Sequence, residues 1–142
     1  MNVCVDASLV VKWLVPEEGS EQALRLYKKW CNEDMGFMAP ALLEYEIGSV
    51  LRQKIVRGLL QSEDLFPIFD FYGRLNILMI HVVNLMPQAV AAAASLNQSA
   101  IYDTSYLLTA RQQNIDFVTA DKRFYKAAHG IFSFVKFYQD LV

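Results

Sequence analysis

The sequence predicts an α/β fold in which helices cover both faces of a parallel sheet. Short apolar segments of strand character alternate with segments of helical periodicity along the whole chain, the order expected for parallel strands joined by crossover helices. The first apolar segment, residues 2–6, ends in a carboxylate followed by small residues. Such a segment is typical of a buried parallel strand, whose carboxyl end lies at the edge of the sheet where α/β proteins bind ligands.

The predicted strands are short and are separated by helices. They cover residues 2–6, 36–39, 77–83, 117–119 and 131–135. A helical pattern follows the first strand directly, so we expect the carboxylate of its last residue, Asp6, at the mouth of a crevice.

The predicted helices are bounded by capping residues and carry apolar residues three and four positions apart. They cover residues 9–14, 20–31, 42–56, 62–72, 87–96, 101–112 and 122–128. Ser8 is placed to cap the first helix, Ser20 the second and Ser62 the fourth. The inner face of the fourth helix is expected to consist of Leu65, Phe66, Phe69 and Tyr72.

Length and composition predict a single domain over residues 1–142, with 54% hydrophobic residues to form its core. The formal net charge of −2 gives no general attraction to nucleic acid, so such binding requires a local basic patch. The two cysteines lack metal-ligand spacing and suit a reducing compartment, which predicts a cytoplasmic protein. No segment has the form of a signal peptide or the length of a membrane span.

Acidic residues recur where strands are predicted to end and helices to begin. Asp6 and Asp121 each follow an apolar strand and precede a helix, so the carboxyl ends of parallel strands can bring them together. Asp103 opens another helix. On the helix over residues 42–56, Glu44 and Glu46 border the apolar stripe on opposite sides, and helical periodicity does not choose between them.

Each of these residues also has an ordinary structural explanation. Asp6 and Asp121 are common helix-capping residues, and Asp103 in a first helical turn interacts favourably with the helix dipole by about 0.3–1 kcal/mol. Glu44 and Glu46 are both consistent with solvated charges beside an apolar stripe. Convergence of these side chains on one place would favour chemistry over local structure.

Four groups of residues form a recurrent pattern along the chain. They are residues 5–15 with Glu17 and Glu18, Pro40 with Glu46, Leu51 and Arg52, residues 101–103 with Tyr106, Leu107 and Ala110, and residues 118–124. Together they resemble the motifs of PIN-domain proteins, most closely the VapC-like toxins of toxin–antitoxin pairs, in the family's order. The resemblance selects Glu46 over Glu44. Two departures, Gly48 in place of a frequent Asn and Leu108-Thr109 in place of Ala-Leu, change no carboxylate.

The resemblance implies a three-layer α/β/α domain that acts as a metal-dependent endoribonuclease. Hard ions such as Mg²⁺ or Mn²⁺ prefer oxygen ligands and are usually held by one or two carboxylates, waters and substrate phosphate. We therefore interpret all four carboxylates as catalytic, with Asp6 and Asp103 as direct metal ligands and Glu46 and Asp121 as ligands through water or as groups that support the direct ligands. The metal would activate a water for attack on the phosphodiester.

Other residues are predicted to support this chemistry. Ser8 and Thr119 are expected to orient carboxylates or waters. Lys12 and Arg123 follow acidic motifs within two helical turns and are expected to hold RNA phosphates, although both are also consistent with solvated helix faces. The resemblance further implies a homodimer and a cognate antitoxin as protein partner.

Other α/β families fit the sequence less well. A phosphoaspartyl receiver domain needs an acidic pair after its first strand, which residues 2–6 do not provide. A haloacid-dehalogenase-type phosphatase needs a second Asp two residues after the first, where this chain has Ser8. Two alternatives stay open: a PIN nuclease that acts in RNA processing or on DNA flaps, and a catalytically inactive PIN-like module that binds RNA or protein.

Overall fold

The structure, a computed structural model, describes all residues from 1 to 142 and confirms the predicted α/β fold. The strands are β1 (Asn2–Val5), β2 (Gly36–Pro40), β3 (Leu78–Ile80), β4 (Asp116–Thr119) and β5 (Val135–Phe137). All neighbouring strands are parallel, and the sheet has the order β3-β2-β1-β4-β5. The helices that flank it are α1 (Ala7–Leu14), α2 (Ser20–Asn32), α3 (Leu42–Val56), α4 (Leu65–Arg74), α5 (Leu85–Ser95), α6 (Tyr102–Gln113) and α7 (Lys122–Ala128).

Strand β1 is the centre of the sheet and of the core. Cys4 pairs with Met38 of β2 on one side and with Phe117 of β4 on the other. Cys4 and Val5 have no exposed surface, as expected for a strand covered on both faces. Cys4 is a free thiol in this buried position, whereas the other cysteine, Cys31, is free and exposed.

Aromatic packing joins α1 and α2 to the sheet. The Trp13 ring lies 5.2 Å from Tyr27 and 5.3 Å from Phe37, measured between ring centroids, and meets Trp30 edge-on. The indole N–H of Trp13 donates to the carbonyl of Ala23 at 2.9 Å, so its polar atom is satisfied within the core. These rings therefore belong to the core that carries the carboxyl end of β1.

Two helices begin differently from the prediction. Asp6, not Ser8, is the N-cap of α1, because its carboxylate accepts the amide N–H of Leu9. Gly19 precedes α2, and Ser20 lies inside the helix, where its Oγ accepts from the amide of Glu17 and donates to the carbonyl of Val15. Ser20 therefore braces the turn before the helix instead of capping the helix.

The predicted inner face of α4 is wrong for two of its residues. Phe66 and Phe69 are 86% and 47% exposed, whereas Ile68 is buried. Side chains two positions apart on a helix project about 200° apart. Because Ile68 faces the core, Phe66 faces solvent. Ser62 does not cap α4 as predicted, because it lies inside a short 3₁₀ helix (Ser62–Asp64) that precedes α4. Reciprocal hydrogen bonds between Gln61 and Asp64 cap the start of this 3₁₀ helix.

Two strands are displaced or shorter than predicted. The apolar segment 77–83 forms a strand only over Leu78–Ile80. The last strand begins at Val135 because the amides of Ile131 and Phe132 still bond to the carbonyl of Ala128 at the end of α7. A second 3₁₀ helix (Tyr138–Leu141) closes the chain. None of the helices combines the length and apolar character needed to cross a bilayer.

Candidate functional site

A cleft of about 650 Å³ opens where β1 and β4 end, and all four predicted carboxylates line it. Asp6 and Asp121 follow the two strands, Glu46 comes from α3, and Asp103 comes from the first turn of α6. Residues that are far apart in sequence thus meet at the carboxyl edge of the sheet, where parallel α/β proteins place their ligands.

Asp6 is almost fully buried, at 3% exposure, and its carboxylate is held from several sides. Oδ1 accepts the amide of Leu9 at 3.1 Å and the hydroxyl of Ser8 at 2.7 Å. Oδ2 accepts the hydroxyl of Thr119. These donors fix the orientation of the carboxylate, and Oδ2 keeps a lone pair that faces no protein donor.

The hydroxyls of Ser8 and Thr119 connect the ends of the two strands. Ser8 Oγ accepts the amide of Ala120 at 3.0 Å, and Thr119 Oγ1 accepts the amide of Asp121 at 3.0 Å. The two hydroxyl oxygens lie 3.3 Å apart. The segment that carries Asp121 is therefore hydrogen-bonded to the segment that carries Asp6. These bonds fix the position of one carboxylate relative to the other.

Asp121 repeats the arrangement of Asp6 at the start of a helix. Its Oδ1 accepts the amide of Phe124 at 3.0 Å and caps α7. The second carboxylate oxygen is left for the cleft, which Asp121 lines. Both aspartates thus combine the capping role with a place in the cleft.

Glu46 is fixed by Tyr106, a residue of the third motif for which the sequence predicted no role in the site. The phenol of Tyr106 donates to Oε1 of Glu46 at 2.5 Å, and Tyr106 itself is 1% exposed. Glu44 is exposed and does not line the cleft. A sequence signal for Tyr106 existed, because a buried Tyr in place of Phe needs a partner for its hydroxyl.

The carboxyl groups of Asp6, Asp103 and Glu46 have raised pKa values. Burial, with a smaller contribution from Asp103, raises the pKa of Asp6 from 3.8 to about 7 against the opposing hydrogen bonds. Burial, then the charges of Asp121 and Glu46, raises the pKa of Asp103 from 3.8 to about 6. Burial also raises the pKa of Glu46, while the Tyr106 hydrogen bond lowers it. These carboxyl groups are close enough for the charge of one to raise the pKa of another. A bound cation would have the opposite effect and lower these pKa values.

The sequence profile of the PIN domain matches residues 3–130. The chain belongs to the PIN domain family. PIN domains are generally nucleases, which bind nucleic acid and generally use divalent metals. No curated protein matches the sequence.

This PIN domain is similar to a solved structure, "Crystal structure of PAE2754 from Pyrobaculum aerophilum". The two chains are 19% identical, the alignment covers 99% of this chain and 95% of that chain, and the TM-score is 0.66. At this identity the likeness shows a shared fold.

The cleft of the PIN domain fits a hard divalent cation with a partly hydrated shell. No three acidic, His or Cys side chains lie close enough together to hold one ion directly. The donors are carboxylate oxygens, the type that Mg²⁺ prefers, and Mg²⁺ usually keeps several waters beside one or two carboxylates. Asp6 Oδ2 accepts one protein donor, the hydroxyl of Thr119, and no hydrogen bond lowers the pKa of Asp103.

The cleft also contains residues that the sequence did not indicate as functional. Tyr45, Ser49 and Gln53 line it from α3, and Tyr102 lines it from α6. Ser49 and Gln53 follow Glu46 at helical spacing, which was the available signal for these two residues. Of the two predicted RNA-binding residues, Lys12 lines the cleft, whereas Arg123 is exposed on α7 and does not line it.

Proposed function

We propose that this PIN domain is a Mg²⁺- or Mn²⁺-dependent endoribonuclease. The observation that carries the proposal is the convergence of Asp6, Glu46, Asp103 and Asp121 on one cleft, with raised pKa values for three of them. Such an arrangement costs stability without a cation, so its presence is better explained by function than by folding.

Each carboxylate has its own task in this proposal. Asp6 and Asp103 are the direct metal ligands, and Glu46 and Asp121 act through water. A bound divalent ion would lower the pKa of a coordinated water and would neutralise negative charge at the phosphate. Asp121 and Glu46 would accept hydrogen bonds from a coordinated water and so help to orient it.

The hydroxyl groups act as positioning residues. Ser8 and Thr119 hold the Asp6 carboxylate from two directions, and Tyr106 holds Glu46. Loss of such supporting contacts at a metal site typically costs about 10–100-fold in affinity or activity.

The nuclease proposal is tested by cleavage of labelled single-stranded RNA with Mg²⁺, with Mn²⁺ and in excess chelator. We expect cleavage only with metal, and a loss of at least about 100-fold in Asp103→Asn, since a direct ligand matters more than a supporting contact. Asp116→Asn is the matched control, because Asp116 is an exposed carboxylate at the opposite end of β4. Cleavage that persists in chelator would contradict the proposal.

The more specific proposal is a VapC-like toxin of a toxin–antitoxin pair, acting in the cytoplasm as a homodimer. The N-terminal pattern of residues 5–15 supports it, and the exposed Phe66 and Phe69 on α4 offer apolar surface for a protein partner. The test is induced expression in growing cells, with Asp103→Asn as control, together with sedimentation of the purified protein.

Growth arrest by the wild type alone, relieved by the product of a neighbouring short reading frame, is the expected result. Cleavage of RNA without growth arrest would favour a nuclease of RNA processing instead. Binding of RNA without cleavage would favour an inactive PIN-like module.

A further inference from the structure

A second charged cluster, formed by Lys12, Glu17 and Lys54, lies at the rim of the cleft. The Nζ of Lys12 lies 3.1 Å from Oε1 of Glu17, and the Nζ of Lys54 lies 3.0 Å from Oε2 of the same carboxylate. The side chains are 16%, 27% and 17% exposed for Lys12, Glu17 and Lys54, respectively. One partly buried carboxylate thus bridges two ammonium groups, and the cluster keeps a net charge of +1.

Glu17 is presented by a fixed turn, whereas its two partners are flexible. Its amide donates to Ser20 Oγ at 2.9 Å, and Ser20 Oγ donates to the carbonyl of Val15 at 3.1 Å. The lysines reach Glu17 from α1 and from α3, each on a four-carbon stem. The ammonium groups can therefore exchange one anion for another without movement of the backbone.

The lysines retain hydrogen-bond donors that the protein does not use. Lys12 donates one hydrogen bond to Glu17 and another to the carbonyl of Glu18 at 2.6 Å, and Lys54 donates one hydrogen bond to Glu17. An ammonium group has three donors, so donors remain on both lysines. Lys12 is also the only Lys or Arg side chain that lines the cleft, so an RNA strand passing the four carboxylates meets its positive charge there.

We propose that Lys12 and Lys54 form a binding subsite for a backbone phosphate of single-stranded RNA, and that Glu17 occupies this subsite when RNA is absent. The proposal rests on the proposed ribonuclease function, because it describes how the same cleft holds its substrate. The carboxylate of Glu17 places one oxygen against each ammonium group. A phosphodiester also has two anionic oxygens, so it can make the same two contacts. Binding then exchanges the internal anion for the substrate.

The test is binding of fluorescein-labelled single-stranded RNA by fluorescence anisotropy in chelator, over a series of salt concentrations. For Lys54→Gln we expect severalfold weaker binding and a salt slope smaller by about 0.7, the value of one phosphate contact on a single strand. Lys28→Gln, which removes an exposed lysine on α2, is the control and should leave both quantities unchanged. Glu17→Gln should bind RNA severalfold more tightly, because the competing anion is gone.

Lys54→Arg separates loss of charge from loss of folding. It should retain the affinity of the wild type, and thermal melts of every variant check that each is folded. Equal effects of Lys54→Gln and Lys28→Gln, weaker binding by Glu17→Gln, or no RNA binding by the wild type would each overturn the subsite.

Cleavage assays with Mg²⁺ on the same proteins distinguish the two proposals. Cleavage by the wild type with RNA affinity insensitive to Lys54 rejects the subsite and keeps the nuclease. The expected changes in affinity without any cleavage support the subsite and reject the nuclease.

Discussion

Asp6 uses one carboxylate for two purposes, as the cap of α1 and as the most buried acidic group of the cleft. Capping by Asp is worth about 0.5–2 kcal/mol, which offsets part of the cost of burying the group. The same donors that cap the helix also fix the direction of the free lone pair.

The raised pKa values predict how stability depends on pH in the absence of metal. Asp6 and Asp103 have pKa values of about 7 and about 6 in the folded protein, against about 3.9 for an unfolded Asp. The folded state keeps these protons to higher pH, so their contribution to stability is complete below about pH 4 and is lost as pH rises to about 7. Urea unfolding in chelator should show this decline, and it should be shallower in Asp103→Asn. Equal slopes in the two proteins would contradict it.

The two glutamates on α3 provide a matched pair for activity. Glu46 lines the cleft and accepts the Tyr106 phenol, whereas Glu44 is exposed and lies outside it. We expect Glu46→Gln to lose activity by about 10–100-fold and Glu44→Gln to keep most of it, measured as kcat/KM on one RNA substrate. Equal losses, or the reverse order, would show that the wrong glutamate was selected.

At the residue scale, sequence patterns indicated the acidic residues and the hydroxyl groups of Ser8 and Thr119, but not the partners that come from other helices. Strand ends and helix starts are visible in a sequence, so Asp6, Asp103 and Asp121 could be proposed from position alone. The choice of Glu46 came only from the family resemblance. Contacts between distant residues, such as Tyr106 with Glu46 or Lys54 with Glu17, depend on how helices pack, which no local pattern specifies.

At the scale of elements, the turn between α1 and α2 decides where Glu17 lies. Gly19 has φ of +83°, and its carbonyl accepts the hydroxyl of Tyr138 at 3.3 Å. A Cβ at Gly19 would collide with that hydroxyl oxygen. The turn therefore requires glycine both for its backbone conformation and for the close approach of Tyr138.

Two glycine substitutions should have opposite effects on the free energy of unfolding. Gly19→Ala forces alanine into left-handed backbone and should lower it by about 1–2 kcal/mol or more. Gly48→Ala, inside α3 with open space around the added Cβ, should raise it by about 0.5–1 kcal/mol. Denaturant unfolding of both variants checks the pair, and destabilisation by Gly48→Ala would contradict the description of α3 as an ordinary helix at that position.

The elements themselves were largely predictable, because buried strands and amphipathic helices leave periodic patterns. The errors lie where apolar residues face solvent or loops. Phe66 and Phe69 look like core residues on a helical wheel, yet Ile68 takes the inner position on α4. The apolar segment 77–83 exceeds its strand because only Leu78–Ile80 finds a partner on β2.

At the scale of the whole molecule, metal binding should add to the stability of the folded state. An ion that binds only the folded protein contributes RT ln(1 + [L]/Kd), about 2.7 kcal/mol at 100 times Kd. The wild type should therefore melt at higher temperature with Mg²⁺ than in chelator at matched ionic strength, and Asp103→Asn should gain much less. In chelator, Asp103→Asn should melt at or above the wild type because one repelling charge is removed.

The increase in melting temperature on adding Mg²⁺, measured separately for each protein, does not depend on the helix-dipole effect of Asp103. Asp103 lies in the first turn of α6, and losing its interaction with the helix dipole would lower the melting temperature of the variant by an amount independent of Mg²⁺. Equal increments in the two proteins would exclude Asp103 from the metal site.

The free thiol of Cys4 makes the central strand accessible to kinetic experiments. Cys4 has no exposed surface, whereas Cys31 is exposed, so a thiol reagent should modify Cys31 at once and Cys4 only when β1 separates from β2 or β4. The labelling rate of Cys4, followed by mass spectrometry, would report the opening of the sheet in the native protein without any introduced probe. Asp6 lies two residues after Cys4, directly beyond the end of β1, so an ion held there should slow that labelling.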